Sequence, residues 1–208
     1  MGTLTRKERE RRRHRRAVLE AAETVFAEKG FHSATVQEIA ERAEFGVGTI
    51  YNMFESKNAI YHNLVLMRVR EYLGRVEEVI GERTDPREEI GAIIRVKLEF
   101  FDHNRRFFRI FSRATVGDSD TLPCTLSDEA RTIYREYVQK VRRIFQEGIE
   151  EGMFIEADSE VLALSMEGIT NYIIARSNHG PGGQPPGASP EMIERILFDG
   201  ILTERGRQ

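Results

Sequence analysis

The sequence predicts an all-α protein of about nine helices, a small N-terminal three-helix unit followed by a larger helical bundle. Apolar residues recur at helical spacing along most of the chain, and no stretch alternates as a half-buried strand does. Capping and stop residues such as Thr35 and Gly30 divide this pattern into separate helices. We therefore expect one domain over residues 1–56 and a second over residues 57–208.

The first three helices are defined by their end signals. An apolar stripe predicts a helix over about residues 8–29, and Gly30 follows it as a stop. Thr35 with Glu38 three residues later forms a capping box, which starts a second helix that ends near residue 43. Gly46 and Gly48 break the next stretch, and a third short helical pattern begins with Thr49, Ile50, Tyr51 and Phe54.

The remaining helices are separated by caps and by loops rich in glycine and proline. Ser56 and the pair Asp85-Pro86 begin two of them, and a break is expected near Asn104. Residues 115–126 and 180–190 are predicted to be loops. The helices are expected over about residues 57–80, 85–101, 106–113, 127–151, 158–177 and 190–203.

Charge is unevenly distributed along the 208 residues. The net charge is −3, yet residues 1–16 hold eight basic side chains and only two acidic ones. A basic segment on an acidic body indicates a polyanionic partner. The single cysteine, Cys124, allows no intrachain disulfide, and no signal peptide or membrane-spanning run is evident, so we expect a cytoplasmic protein without membrane contact.

Two short helices joined by a turn of about four residues are typical of a helix-turn-helix. The second helix of such a motif fits the major groove of DNA, which is about as wide as one helix. Gly46 lies in the turn, and we expect it to adopt the unusual backbone angles that the turn requires.

The run Ala43-Glu44-Phe45-Gly46-Val47-Gly48-Thr49-Ile50-Tyr51-Asn52-Met53-Phe54, followed by Ser56-Lys57, resembles the TetR family of bacterial repressors. The spacing of Ala21, Ala22, Phe26, Gly30, Thr35, Ile39 and Ala40 upstream fits the same pattern. Glu44, Phe45 and Gly46 depart from the glycine, small aliphatic residue and serine that are common there. The resemblance covers about the first 60 residues.

The resemblance implies a set of DNA contacts. It places Thr35, Tyr51 and Lys57 near phosphates, Gln37 near a base edge, and Asn52 and Met53 near base edges or backbone. Val47, Gly48 and Thr49 would open the recognition helix and face the groove. Alternatively, Thr49 and Tyr51 only cap or pack, and Ile50 and Phe54 are interpreted as core residues.

The basic segment has two interpretations. Arg11, Arg12 and Arg13 directly precede the helix-turn-helix, and arginines of such arms enter the minor groove of A·T-rich DNA. The alternative is a solvated, disordered tail, which is the usual fate of charged runs.

The resemblance also implies an effector cavity in the second domain, with a ligand-responsive repressor as the expected function. Five phenylalanines between residues 100 and 111 suggest a hydrophobic or aromatic effector, although each is also a plausible core residue. The candidate effector contacts are Phe101, His103, Phe107, Phe108, Phe111, Arg113, Tyr134, Tyr137, Met166 and Asn171.

The last two helices are expected to join two copies of the chain, so that a homodimer reads a palindromic operator in double-stranded DNA. The residues expected to pack there are Ala163, Ser165, Gly168, Ile169, Tyr172, Ala175, Ile193, Ile196 and Leu197. No catalytic motif, metal-ligand spacing or cofactor fingerprint is found, so we expect no enzyme, metal or cofactor. The alternatives are a structural DNA-binding protein without an effector and a helical enzyme.

Overall fold

The computed structural model describes residues 5–81, 85–116, 127–177 and 189–201, with backbone only for 111–116, 176–177 and 201. These residues form nine α-helices and no strand, as the sequence predicts. The helices are α1 (Arg6–Lys29), α2 (Val36–Arg42), α3 (Val47–Met53), α4 (Lys57–Glu77), α5 (Pro86–His103), α6 (Arg105–Val116), α7 (Asp128–Glu150), α8 (Ser159–Ser177) and α9 (Pro190–Ile201).

The helices form two compact units whose boundary differs from the expected one. The first unit ends after Arg68, inside α4, and also contains the chain from Arg109 in α6. The second contains residues 69–108 and the chain from Asp128 onward. None of the described helices is both long and apolar enough to span a membrane.

The first unit buries apolar side chains from each of its first three helices. Val18, Ala22 and Phe26 of α1 are buried, as are Ile39 of α2 and Ile50 of α3. Burial of such side chains stabilises the fold by roughly 1.5–3 kcal/mol each. The unit therefore holds α3 by one face and leaves its other face in solvent.

The second unit has a larger core made by α5, α7, α8 and α9, with Val76 of α4. Phe154, which follows α7, lies across Gly148 in that helix. A Cβ added at Gly148 would come within 2.3 Å of the Phe154 ring. Glycine at this position is therefore needed for the ring to pack.

Several helix ends differ from the predicted ones. Thr5 and Glu8 form a capping box, so α1 begins at Arg6. The helix α4 ends at Glu77 rather than near residue 80, and α6 extends to Val116, past the predicted start of the following loop. Residues 117–126, 178–188 and 202–208 lie outside the described part of the chain, and with them most of both predicted loops.

Candidate DNA interface and effector site

The turn between α2 and α3 is built differently from the prediction. Glu44 adopts a left-handed backbone with φ 59°, and it is the only non-glycine residue with positive φ in the described part of the chain. Gly46 has an ordinary extended backbone, with φ −67° and ψ 143°. The expected conformational freedom is therefore required at Glu44. Phe45, the next residue, packs on His14 with ring centroids 5.1 Å apart.

The capping box at the start of α2 forms as predicted. The Thr35 hydroxyl accepts a hydrogen bond from Glu38 N (3.2 Å), and the Glu38 carboxylate accepts one from Thr35 N (2.9 Å). Hydrogen bonds from Lys29 and Thr35 lower the pKa of Glu38 to about 2. Gln37 is exposed on the same helix and reaches only Glu41, at 3.4 Å.

The helix α3 presents a polar outer face over an apolar inner one. Ile50 and Phe54 are buried, which confirms the interpretation of both as core residues. Val47, Gly48, Thr49, Tyr51 and Asn52 are exposed, and Met53 is half-buried. A Cβ added at Gly48 would meet no atom within 4 Å. Nothing inside the described protein therefore requires glycine at position 48.

The Lys57 side chain hydrogen-bonds to the protein's own backbone, whereas the prediction placed it at a DNA phosphate. Its Nζ donates to the carbonyl oxygens of Phe31 (2.7 Å), His32 (3.0 Å) and Ala34 (2.8 Å). An ammonium group has three donors, and these bonds use all of them. We therefore replace the phosphate contact by a structural role, in which Lys57 ties the start of α4 to the loop between α1 and α2.

The basic segment is the N-terminal part of α1 and is not an extended arm. Arg11, Arg12 and Arg13 are exposed on this helix. A helix is about 10–12 Å wide, whereas the minor groove is about 6 Å wide. The helix itself is therefore too wide for the minor groove, whereas entry of its arginine side chains stays a prediction; the exposed guanidinium groups are also suited to phosphates.

Arg15 lies on the same helix but has a different environment. Its guanidinium donates to the Met53 carbonyl at the end of α3 and to Asn63 Oδ1 of α4 (2.9 Å), and it stacks over the Phe54 ring. Burial lowers the pKa of this arginine. In the sequence Arg15 is one of the eight basic side chains of residues 1–16; in the structure it positions α3.

Four phenylalanines of the second unit form an aromatic cluster, defined here as Phe100, Phe101, Phe107 and Phe108. The Phe108 ring lies 5.3 Å from both the Phe101 and the Phe107 rings and 6.2 Å from Phe100. Tyr72 extends the cluster through a contact of 5.6 Å with Phe100. Of these rings, Phe108 and Tyr72 are only half-buried, so the cluster reaches the protein surface there.

Beside the aromatic cluster lies a polar cluster, which is made of Tyr72, Lys97, Tyr134, Tyr137, Glu167 and Thr170. Lys97 Nζ donates to Glu167 Oε2 (2.8 Å) and to Thr170 Oγ1 (2.7 Å). Tyr134 donates to Glu167 Oε2 (2.7 Å) and Tyr137 to Glu167 Oε1 (2.8 Å). The oxygens of Tyr72 and Tyr137 are 3.0 Å apart.

Burial dominates the titration of the polar cluster. It lowers the pKa of Lys97 and raises the pKa values of Tyr72, Tyr134 and Tyr137. Burial alone would raise the pKa of Glu167, but the Lys97 charge and three donated hydrogen bonds outweigh it and lower that pKa. The cluster therefore combines the Lys97–Glu167 ion pair with three phenols whose ionisation burial disfavours.

The predicted effector residues fall into three groups. Phe101, Phe107, Phe108, Tyr134, Tyr137 and Met166 are in or next to the two clusters. His103 is exposed and bonded to Glu99 O of its own helix (2.7 Å), so it is not brought into the core. Asn171 is exposed as well, but its side chain hydrogen-bonds Tyr134 at the edge of the polar cluster. The side chains of Phe111 and Arg113 lie outside the described part. Lys97 and Glu167 were not among the predicted effector contacts, although a lysine at an apolar position of the α5 pattern indicates a buried polar site.

The outer surface of α8 and α9 carries large apolar side chains, and we call this the outer apolar face. Its members are Val161, Leu164, Tyr172, Met192 and Ile196, from 42% to 69% exposed. Of the residues predicted to join two copies, Ser165, Gly168, Tyr172 and Ile196 are exposed there. Ala163, Ile193 and Leu197 were predicted there as well, but they are buried in the chain's own core.

Comparisons with known proteins bear on both units. The family model described as "Bacterial regulatory proteins, tetR family" matches residues 18–64. The model described as "Tetracyclin repressor-like, C-terminal domain" matches residues 83–175.

Two curated relatives and one solved structure illustrate the similarity. The Fatty acid metabolism regulator protein of Bacillus subtilis (strain 168) is 28% identical over 151 residues, covering 72% of this chain and 75% of that protein. The HTH-type transcriptional repressor KstR2 of Rhodococcus jostii (strain RHA1) is 25% identical over 189 residues, covering 91% of each.

The crystal structure of the transcriptional regulator FadR from Bacillus subtilis in complex with stearoyl-CoA has the same fold, with a TM-score of 0.70 at 22% identity. It covers 88% of this chain and 97% of that one. Together the two family models match more than half of the residues, and the chain belongs to the TetR family of bacterial regulatory proteins.

Proposed function

We propose that this protein is a ligand-responsive transcriptional repressor that binds a palindromic operator as a homodimer and releases it when a long-chain acyl thioester binds. The observation that carries the proposal is the outer face of α3, where Val47, Gly48, Thr49, Tyr51 and Asn52 are exposed over a fixed apolar base. The relatives that the chain matches are transcriptional regulators, which favours this class over an enzyme.

The DNA contacts follow from the chemistry of the exposed side chains. With α3 in the major groove, the Gln37 and Asn52 amides offer the paired donor and acceptor that read adenine. The Tyr51 and Thr35 hydroxyls are donors for phosphates, and so are Arg11, Arg12 and Arg13. Gly48 allows close approach of the helix backbone. Phosphate contacts position the protein, whereas the amides give it sequence preference.

A second copy of the chain is the partner that we propose for the outer apolar face. Large exposed apolar side chains on two packed helices favour an interaction site on a protein surface. The TetR family dimerises, and two recognition helices related by a two-fold axis read a palindrome. Tyr172 of α8 and Ile196 of α9, which are 69% and 58% exposed, are the central residues of this interface.

The effector class is supported by the relatives and by the second unit. One relative is a fatty acid metabolism regulator, and a structure of the same fold holds stearoyl-CoA. The aromatic cluster offers phenyl rings against which an acyl chain can pack, and the polar cluster next to it offers hydrogen-bond donors. On this support we propose an acyl thioester as the small hydrophobic effector.

The proposal is tested by selecting bound sequences from random duplexes and then titrating stearoyl-CoA into the complex below its micellar concentration. We expect a palindromic motif and release of the DNA. Gln37→Ala should relax base preference at one position of each half-site, by roughly 1–3 kcal/mol. Tyr51→Phe is the matched control, because losing a phosphate contact weakens all sequences alike.

The results separate the alternatives. If the selected DNA stays bound to the protein in the presence of stearoyl-CoA and of a wider set of apolar metabolites, the protein is a structural DNA-binding protein without an effector. Release by stearoyl-CoA also requires reciprocity, so operator DNA must weaken stearoyl-CoA binding by the same factor, typically 5- to 150-fold. Equal stearoyl-CoA affinity with and without operator would contradict the proposed coupling.

A further inference from the structure

The polar cluster is a costly feature of the second unit. Lys97 and Glu167 are both buried, with 6% and 3% of their surfaces exposed. A buried ion pair is often no more stabilising than apolar residues of the same volume, because desolvation offsets the attraction. Stability alone therefore gives no reason for an ion pair and three phenols in an otherwise apolar core.

Counting protons shows which groups of the cluster are already satisfied. Tyr137 uses its single proton on Glu167 Oε1, so Tyr72 must be the donor in its bond with Tyr137. Glu167 thus accepts three bonds through its two oxygens. Lys97 donates only two bonds to the residues that the structure describes, and its ammonium has a third N–H.

Lys97 shares a face of α5 with two members of the aromatic cluster. Phe100 and Phe101 follow Lys97 by three and four residues, which places all three side chains on one face of the helix. Tyr72 bridges the two clusters, since it contacts the Phe100 ring and the Tyr137 hydroxyl. An apolar chain packed on the phenylalanines would therefore bring its polar end to the Lys97 ammonium.

The net charge of the polar cluster determines which polar group, at the end of an apolar chain, can bind there. The Lys97 and Glu167 charges cancel, so a carboxylate bound there would bury an unpaired negative charge beside Glu167. A neutral carbonyl needs only the third N–H and adds no charge. We infer that Lys97 binds the carbonyl oxygen of a neutral acyl group, so that the site takes a thioester and rejects the free fatty acid.

This inference rests on the proposed function, because it concerns the acyl effector of the same site. The test compares three probes by calorimetry: stearoyl-CoA, its thioether S-octadecyl-CoA, which lacks the carbonyl, and stearate. We expect the unmodified protein to bind the thioester roughly 10- to 100-fold more tightly than the thioether, as for a hydrogen bond to a charged group. Stearate should bind more weakly than either CoA compound.

The variant Lys97→Met/Glu167→Gln removes both charges and keeps one acceptor oxygen for the two tyrosine hydroxyls that donate to Glu167. We expect its thioester-to-thioether affinity ratio to fall to about one. The matched control is Lys140→Met/Glu77→Gln, because Lys140 and Glu77 form an ion pair at the surface of the same unit. Each ratio is taken within one variant, so a general loss of stability affects both probes equally.

The outcomes are distinguishable. Equal binding of thioester and thioether by the unmodified protein would overturn the inference and leave the proposed effector class intact, and this result needs no variant to fold. A ratio that persists in Lys97→Met/Glu167→Gln would exclude Lys97 as the donor. Failure of the unmodified protein to bind stearoyl-CoA at all would overturn the proposed effector class and, with it, the inference.

Discussion

At the scale of single residues, Glu44 has the clearest strain. A left-handed backbone costs a residue with a Cβ about 1–2 kcal/mol, and glycine's larger chain entropy offsets roughly 0.5–1 kcal/mol of that. Glu44→Gly should therefore raise the free energy of unfolding by about 0.5–1 kcal/mol, measured by urea denaturation. Glu41→Gly, in the adjacent helix, is the control and should lower it by about 1 kcal/mol. A loss of stability in both variants would contradict the role of Glu44.

Glu38 should make the free energy of unfolding depend on pH in the acid range. Its pKa is about 2 in the folded protein, below the ordinary value of 4.5, because Lys29 and Thr35 hydrogen-bond to its ionised form. The stabilisation is therefore present above about pH 4.5 and is lost as the pH falls toward 2. Urea unfolding between pH 2 and 6 should show a shallower dependence in Glu38→Gln than in the unmodified protein. Identical slopes would show that Glu38 does not contribute.

At the scale of helices, Gly148 determines how the chain packs after α7. A Cβ there would overlap the Phe154 ring, so Gly148→Ala should lower the free energy of unfolding by roughly 1–3 kcal/mol. In α4, Gly74→Ala meets no atom within 4 Å and should raise it by up to about 1 kcal/mol. Thermal unfolding of the two variants gives the comparison, and changes of the same sign would refute the steric argument.

Two arginines of α1 should separate stability from DNA binding. Arg15→Met removes the hydrogen bonds to Met53 O and Asn63 and should lower the free energy of unfolding by about 1–3 kcal/mol. Arg12 is exposed, so Arg12→Met should leave stability unchanged and reduce the slope of log affinity against log salt by about 0.9. Fluorescence anisotropy at several salt concentrations measures the slope. An unchanged slope would mean that Arg12 makes no phosphate contact.

The helices were predictable because their signals are local. Thr35 with Glu38, Asp85 before Pro86, and the break at Asn104 each act within one turn, and the structure has all three. The early start of α1 carried a similar signal in Thr5 and Glu8 that was not used.

The contacts that could not be predicted join residues that are far apart in the sequence. The three carbonyls bound by Lys57 lie more than twenty residues away, and Lys97 meets Glu167 seventy residues along the chain. The left-handed conformation at Glu44 was also missed, because the turn sequence offers glycines nearby. The hydrogen bonds of Lys57 and Lys97 can be recognised only once the packed helices bring the partners together.

At the scale of the whole molecule, the outer apolar face predicts the oligomeric state. Leu164→Arg and Ile196→Arg place charges on exposed apolar positions of α8 and α9 and should convert the dimer to monomers, as measured by light scattering at micromolar concentration. Glu136→Arg, at an exposed polar position of α7, is the control and should remain dimeric. An unmodified protein with a monomer mass, or two charged variants that still dimerise, would refute the assigned interface.

The helical form of the basic segment affects how quickly an operator is found. Ordering a flexible arm costs roughly 1–2 kcal/mol per residue of backbone entropy, whereas residues 6–13 are already ordered in α1. Their contacts with phosphates would be gained without that cost on any DNA sequence, so the protein should dwell on non-operator DNA and slide along it. The association rate with an operator should therefore increase with the length of the DNA that flanks it.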